Sequence, residues 1–460
     1  MAMLLFAGIP AYKIGGHGEL KIEKVSVVRY EKPYYSVKKA ILDCGGSEYF
    51  RPGMRVFIKP NIVFWTRSCP FPKWGVITTS RVIEDTVVLL KEYGIDDITI
   101  GEGIVADPRD EKTPAHAFES LGYNRLSERY GIKRINIMKR PFKDIELENG
   151  VYLKFNQDIL ESDFLINIPV LKSHNQTVVS LGLKNLKGTI NFASRKKCHS
   201  PDPNHDLHYY ISRIADPMPP ALTVIDGIYS LERGPAFDGK MRRSNLLVAS
   251  PDILSADMVG AKLLGHEPSN VSHLARAAAR SGRPADLSDL EISGENIEEI
   301  SSYHEYDFAY LSDDRGEMPG ALARQGLQGL FYRKFDDTMC TYCSGLNGLI
   351  LAAIRQAWQG EPWDNVEVLT GKKMEPSPGM GATILIGQCM HKKNRKHPNI
   401  EKMLAIKGCP PDPQEIVDVF KQAGIELDPG LFEQADQLPG FFMSRYEDNP
   451  DFDESFFRVG

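Results

Sequence analysis

The sequence lacks the short motifs that usually reveal an enzyme class. It has no Walker A loop, no G-x-G-x-x-G placed between a strand and a helix, and no G-x-S-x-G nucleophile elbow. No apolar run reaches the roughly 20 residues that a membrane-spanning helix needs. These absences argue against a P-loop hydrolase, a dinucleotide-binding domain and an α/β-hydrolase. They also predict that the chain has no membrane segment.

An excess of positive charge is also missing. The formal net charge is −6, so no broad basic surface is expected and nucleic acid is not an expected partner. Residues 1–10 are apolar, but they have no basic n-region and no small-residue cleavage site, so we do not expect a signal peptide. The sequence therefore predicts a cytoplasmic protein.

Cysteine is scarce, with 7 residues in 460. In a reducing compartment so few thiols favour metal or redox use over a disulfide framework. The C-terminal part carries CTYC, then GQC, then KGCPP. Thiolates are the ligands that iron–sulfur clusters require, and a proline after the last cysteine is also found in bacterial ferredoxins. We expect one cluster, of the [4Fe-4S] type, held by Cys340, Cys343, Cys389 and Cys409.

Other interpretations of the cysteines stay open. A structural zinc would use the same four thiolates, usually as two close pairs, but Cys389 and Cys409 are far apart in the chain. The thiols could also be unligated buried side chains. A second metal site is a weaker hypothesis, because its residues match no established spacing; it would use Cys198, His199, His205 and His208.

Strand-like and helix-like segments alternate along residues 21–281. Residues 54–58, 97–100, 163–171 and 221–225 read as strands, and residues 80–93 form a helical pattern that stops at Gly94. This rhythm predicts an α/β fold, a mostly parallel sheet with covering helices, plus a smaller α/β C-terminal domain that carries the cysteines. We expect a body at 1–290, a connector at 291–330, the cluster domain at 331–430 and an aromatic, acidic tail at 431–460. The tail would pack by its phenylalanines or dock on a partner.

Polar residues follow several predicted strands. In open α/β sheets ligands bind outside the carboxyl ends of the strands, so these residues predict a pocket for an anionic small molecule. Lysine supplies compact positive charge, and histidine can move a proton near neutral pH. Solvated loop lysines and a plain turn at Asp226-Gly227 are the competing interpretations. The expected ligand-binding residues are Lys59, Asn61, Lys172, Lys184, Asn185 and Lys187, with Glu102 nearby; His174 and Asp226 are the expected catalytic residues.

Five ordered motifs carry a family resemblance. IKPN at 58–61, IPVLKSH at 168–174, KNLKG at 184–188, VIDGI at 224–228 and SADMVGAKLLG at 255–265 resemble the domain-of-unknown-function family numbered 362. The resemblance spans about residues 25–265. It implies the α/β fold, the polar pocket and an association with iron–sulfur centres, which members of that family commonly hold through ferredoxin-like cysteine motifs. Tandem ferredoxin motifs are absent from this chain, and the four cysteines described above stand in their place.

Three functions are therefore expected. The first is an oxygen-sensitive iron–sulfur oxidoreductase acting on an anionic substrate or cofactor. The second is a non-enzymatic electron carrier or maturation factor that works through a redox protein partner and the acidic tail. The third is a zinc-stabilised ligand-binding protein without a redox role.

Overall fold

The computed structural model describes residues 22–104, 110–314 and 316–459. The apolar stretch 1–10, for which no signal peptide is expected, lies outside these ranges. The first strand β1 (Glu23–Arg29) leads into a body of twelve described strands and eleven α-helices. The further strands are β2 (Arg55–Lys59), β3 (Asp97–Glu102), β4 (Lys133–Asn136), β5 (Phe142–Glu148), β6 (Val151–Asn156), β7 (Phe164–Asn167), β8 (Val170–His174), β9 (Val178–Ser180), β10 (Ala221–Glu232), β11 (Lys240–Ser250) and β12 (Leu290–Gly294). The helices are α1 (Tyr35–Asp43), α2 (Ser80–Glu92), α3 (Lys112–Ser120), α4 (Tyr123–Tyr130), α5 (Gln157–Leu160), α6 (Gly182–Asn185), α7 (Phe192–Lys197), α8 (Leu207–Arg213), α9 (Ile253–Leu263), α10 (Ser272–Arg280) and α11 (Ile297–Ile300).

Ten of these strands form one sheet, in the order β12-β1-β11-β10-β7-β2-β3-β4, with β8 beside β10 and β9 beside β8. Most of the pairings are parallel; β11 runs antiparallel to both of its neighbours, and β9 to β8. Successive residues of β2 alternate between two hydrophobic cores, since Val56 and Ile58 join one and Phe57 joins the other. The body is thus a sheet covered on both faces, as the sequence predicts.

Helix α2 shows how local sequence sets the boundaries of an element. The side chain of Thr79 accepts a hydrogen bond from the amide of Val82, which caps the first turn. Gly94, at φ +71°, follows the last turn in the left-handed conformation that glycine adopts most easily. The helix therefore ends where the sequence predicts.

A second sheet begins at β13 (Tyr310–Asp313), inside the segment predicted as a connector, while β12 extends the body sheet beyond residue 290. Its strand order is β13-β14-β15-β16-β17-β18, and all pairings except β13 with β14 are parallel. This smaller α/β domain confirms the expected fold class. Its other elements are β14 (Gly316–Pro319), β15 (Leu330–Tyr332), β16 (Val366–Leu369), β17 (Ala382–Ile386), β18 (Met403–Ile406), α12 (Gly320–Ala323), α13 (Thr341–Ala357), α14 (Gly387–Asn394), α15 (Pro413–Gln422), α16 (Pro429–Glu433) and α17 (Leu438–Met443).

The aromatic tail returns from the second domain to the body. Phe457 and Val459 are each 1% exposed and belong to a core of the body. The ring of Phe452 lies 5.3 Å from that of Trp74, and Lys73 Nζ lies 2.7 Å from a carboxylate oxygen of Glu454. The tail packs by its phenylalanines, one of the two expectations stated above.

One finding concerns membranes. Across residues 22–104, 110–314 and 316–459, no helix has the length and apolar character that crossing a bilayer requires.

Candidate functional site

A buried ion pair lies at the carboxyl ends of neighbouring strands. Lys59 ends β2 and Glu102 ends β3, and the ammonium of Lys59 donates to the Glu102 carboxylate at 2.8 Å. Backbone amides of Ile62 and Gly103 also donate to this carboxylate, each at 2.7 Å. Burial lowers the pKa of Lys59, and the charge of Glu102 opposes that effect. Glu102 therefore compensates Lys59, which leaves this lysine little capacity for an external anion.

A chain of amides extends from this pair. The side-chain nitrogen of Asn61 donates to the Asn185 oxygen at 2.9 Å, and the nitrogen of Asn185 donates to the Asn167 oxygen at 2.8 Å. Asn167 ends β7 and pairs in register with Lys59 of β2. The sequence analysis missed Asn167, although its position at the end of an apolar strand was a usable signal.

Lys172 lies inside the protein, and no carboxylate of the described residues is in hydrogen-bond contact with it. Its ammonium donates to the Asn61 oxygen at 2.6 Å, to the Val76 carbonyl at 3.0 Å and to the Pro235 carbonyl at 3.4 Å. Burial lowers the pKa of Lys172 to about 7, while Glu102 opposes the change from a distance. The lysine is therefore poised between its charged and neutral forms at neutral pH.

Lys184 and Lys187 come directly after a turn whose backbone is fixed by a buried carboxylate. Asp257 accepts hydrogen bonds from the amides of Gly182 and Leu183 at 2.6 and 2.8 Å, at the start of α6. Burial and the charge of Lys187 hold the pKa of Lys184 well below its usual range. The structure gives the ammonium of Lys184 no hydrogen-bond partner among the residues that it describes. Lys184 is only partly buried as a whole residue, so solvent can reach it.

Lys187 pairs with a histidine that the sequence analysis assigned elsewhere. Its ammonium lies 2.6 Å from His199 Nε2, and His199 Nδ1 lies 2.7 Å from the Asp337 carbonyl oxygen. A carbonyl can only accept, so Nδ1 carries the proton and Nε2 accepts from Lys187. Burial holds the pKa of His199 well below its usual range and lowers that of Lys187 to about 8. His199 is thus a neutral partner that leaves the charge of Lys187 uncompensated.

The two predicted catalytic residues have different surroundings. His174 ends β8, and its Nδ1 accepts from the Gln176 amide at 3.0 Å; burial, then Lys184, holds its pKa well below the usual range. Asp226 accepts from the amides of Thr79 and Ile228 at 2.7 and 3.1 Å, and burial raises its pKa to about 6. These contacts make Asp226 an anchor for the loop before α2. The role of either residue in proton handling stays a prediction.

Three of the four cysteines lie at the N-terminal ends of two helices. Cys340 occupies the N-cap position of α13, Cys343 lies in the first turn of that helix, and Cys389 lies in the first turn of α14. The charges of the other three thiols contribute to a raised pKa of Cys343, after its hydrogen bond with Cys340 and its burial. Lys196 of the body donates to Cys409 Sγ at 2.7 Å.

The described cysteines are all free thiols. Within the parts of the chain that the structure describes, no three histidine, cysteine, aspartate or glutamate side chains are arranged to hold a metal ion. The residues of the hypothetical second metal site also diverge, since His205 binds Asp202 at 2.7 Å and His208 stacks on His273. The four thiols interact electrostatically, and they match the donor set of an iron–sulfur cluster in chemistry and number.

The lysine-rich region and the cysteines face each other across the junction of the two domains. The side chain of Gln176 donates to the carbonyls of Asp336 and Met339 at 2.8 and 2.9 Å, and Lys372 donates to the His199 carbonyl. The negative charge of Cys340 contributes to the electrostatics of Lys187. A pocket at this junction is lined by Phe192, Arg195, Lys196, Cys340, Thr341 and Tyr342. The sequence could not show that these groups meet, because they come from distant parts of the chain.

Comparisons with known proteins confirm the family resemblance. The model of a family described as domain of unknown function (DUF362) matches residues 56–262. A thylakoid-associated protein from Synechocystis sp. (strain ATCC 27184 / PCC 6803 / Kazusa) is 26% identical over 234 residues, which cover 50% of this chain and 69% of the relative.

A solved structure is also similar. It is the lactate racemase apoprotein from Thermoanaerobacterium thermosaccharolyticum, with a TM-score of 0.34 and 14% identity. The alignment covers 54% of this chain and 59% of that protein, so it spans less than two thirds of the solved chain.

Proposed function

We propose that this protein binds an anionic small molecule at Lys172, Lys184 and Lys187, and that the facing cysteines hold an iron–sulfur cluster that exchanges electrons with it. The observation that carries the proposal is the set of lysines itself. Among the described residues, none of the three has a carboxylate within ion-pair distance. Burial lowers all three pKa values, and the charges of Lys187 and Lys172 further lower that of Lys184. Charges moved out of water without an opposite charge nearby are costly. A bound carboxylate or phosphate would supply the missing negative charge.

The residues that would hold the cluster are Cys340, Cys343, Cys389 and Cys409. Helix N-termini favour the thiolate form that ligation requires, and Cys340 and Cys389 lie at such ends. A cluster bound there would supply one-electron chemistry. Zinc is the alternative occupant and would use the same four thiolates. Structural zinc sites usually take their ligands as two close pairs in the sequence, and Cys389 and Cys409 do not form such a pair, so we favour the cluster.

Protein residues would orient the ligand and manage protons. The amides of Asn61 and Asn185 fix the position of Lys172 through the 2.6 Å contact with Asn61. His174 and His199 are neutral neighbours of the lysines because burial lowers their pKa values. Binding an anion would favour the charged form of Lys172, so the ligand and a proton would bind together. We therefore expect anions to bind more tightly as the pH falls from 9 to 7.

The test combines a metal count with a survey of anions. Protein purified without oxygen should contain iron and acid-labile sulfide, and Cys409→Ala should lose both. Thermal unfolding with phosphate, sulfate, pyrophosphate, oxalate and citrate should show at least one anion that raises the midpoint, because a ligand specific for the folded state stabilises it.

Calorimetry with that anion then compares two variants. Lys184→Met should weaken binding about tenfold or more, as expected for the loss of about 1.4 kcal/mol. Lys197→Met is the matched control, since Lys197 is exposed and donates to the Tyr152 carbonyl at 2.9 Å. Equal affinity in the wild type and Lys184→Met would contradict the anion site, and colourless protein with one zinc would contradict the cluster.

A further inference from the structure

Helix α7 of the body carries three consecutive cations that have different partners. The guanidinium of Arg195 donates to the carbonyls of Ile190, Gly103 and Gly188 at 3.0, 3.0 and 2.7 Å. Lys197 donates to a carbonyl of the neighbouring hairpin. The side chain of Lys196, the residue between them, extends to the second domain and donates to Cys409 Sγ at 2.7 Å. Of these three cations, Lys196 is the one that forms a hydrogen bond with a cysteine of the second domain.

The second domain contacts Lys196 at further points. Its ammonium lies 6.0 Å from the centre of the Tyr342 ring, in the range of a cation–π contact. The carbonyl of Lys196 accepts from Lys372 Nζ at 3.4 Å, which fixes the backbone of α7 against the cysteine domain. Cys389 and Cys340 also contribute to the electrostatics of Lys196, after the contact with Cys409. A charge held at this point acts on several of the thiols together.

We propose that Lys196 is a positioning residue that raises the reduction potential of the cluster held by the four cysteines. The inference rests on the proposed function. Reduction adds negative charge to a cluster, and a cation with an N–H group donating to a ligand sulfur stabilises the reduced form more than the oxidised form. Lys196 belongs to the body, so the potential depends on how the body and the cysteine domain are docked.

The experiment measures midpoint potentials by redox titration followed by paramagnetic resonance, on full-length protein purified without oxygen. Lys196→Met should lower the midpoint potential at unchanged iron and sulfide content. Lys197→Met, the adjacent lysine on the same helix, should have the wild-type potential. Lys196→Gln keeps an N–H donor but loses the charge, and its potential should lie between those of Lys196→Met and the wild type.

The possible results separate the two proposals. If the wild type contains neither iron nor sulfide, the cluster itself is refuted, and the role of Lys196 falls with it. If Lys196→Met retains iron and sulfide at the wild-type potential, the role of Lys196 is refuted while the cluster stands. Loss of iron from both Lys196 variants, with circular dichroism unchanged, would assign the lysine to cluster assembly and would also overturn the tuning role.

Discussion

Lys172 should make the stability of this protein rise with pH across a defined window. Its side chain is 0% exposed, and burial lowers its pKa from the ordinary 10.5 to about 7. Between these two values the unfolded chain holds a proton that the folded protein has released. Folding then releases a proton, so the free energy of unfolding increases as the pH rises from 7 toward 10.5.

The magnitude follows from the two pKa values. One pH unit well inside the window is worth about 1.4 kcal/mol, and the folded lysine is half protonated at pH 7, so the contribution of Lys172 should grow by about 2.3 kcal/mol between pH 7 and pH 9. Below pH 7 the folded protein carries the buried charge and the full cost of its desolvation. Lys172→Met removes this proton, and its stability relative to the wild type should therefore be greatest at pH 7 and should fall as the pH rises.

Urea denaturation at fixed pH values between 7 and 10 measures this difference, in buffers that contain no phosphate or carboxylate. The comparison of wild type with variant cancels the contributions of groups whose titration does not depend on the charge of Lys172. Lys197→Met, at an exposed lysine, should run parallel to the wild type. A difference between wild type and Lys172→Met that stays constant from pH 7 to pH 10 would refute the reasoning.

Two further predictions concern stability. Lys59→Met should lower the free energy of unfolding by about 3–5 kcal/mol because it leaves the buried Glu102 carboxylate without its cation. Urea denaturation of the double variant Lys59→Met/Glu102→Gln should show that most of this loss is recovered. A double variant as unstable as Lys59→Met would contradict the pairing. Phe457→Ala should cost about 3–5 kcal/mol because it empties a buried aromatic site. Phe441→Ala is its control at a residue that is 75% exposed, and equal thermal midpoints for the two variants would show that the tail contributes nothing to the core.

Patterns of a few residues predicted much of the fold. The helix that ends at Gly94 and the strands that end at Lys59 and Glu102 follow from apolar periodicity and from glycine at a helix end. The prediction of one strand over residues 163–171 was less accurate. The structure divides this segment into two strands, β7 and β8, on either side of Pro169. Strand β7 pairs with the beginning of β10, and β8 pairs with a later part of β10.

The site could be predicted only in part. The rule that ligands bind at the carboxyl ends of parallel strands predicted that Lys59, Asn61 and Lys172 lie near one another. This rule needs only the positions of the strands along the sequence. The contact between Lys196 and Cys409 joins residues 213 positions apart, and no local pattern carries such information. The same holds for His199, whose position beside Lys187 depends on the docking of the second domain through Asp337.

Because the tail packs on the body, the body cannot finish folding until the C-terminal residues have been synthesised. Trp74 and Tyr229 are covered by Phe452 and Phe457, which leave the ribosome after the whole cysteine domain. One face of the body therefore stays open until that domain has been made. In topological terms the cysteine domain is an insertion within the body, and a ribosome-bound chain that stops before residue 452 should expose Trp74 to a fluorescence quencher.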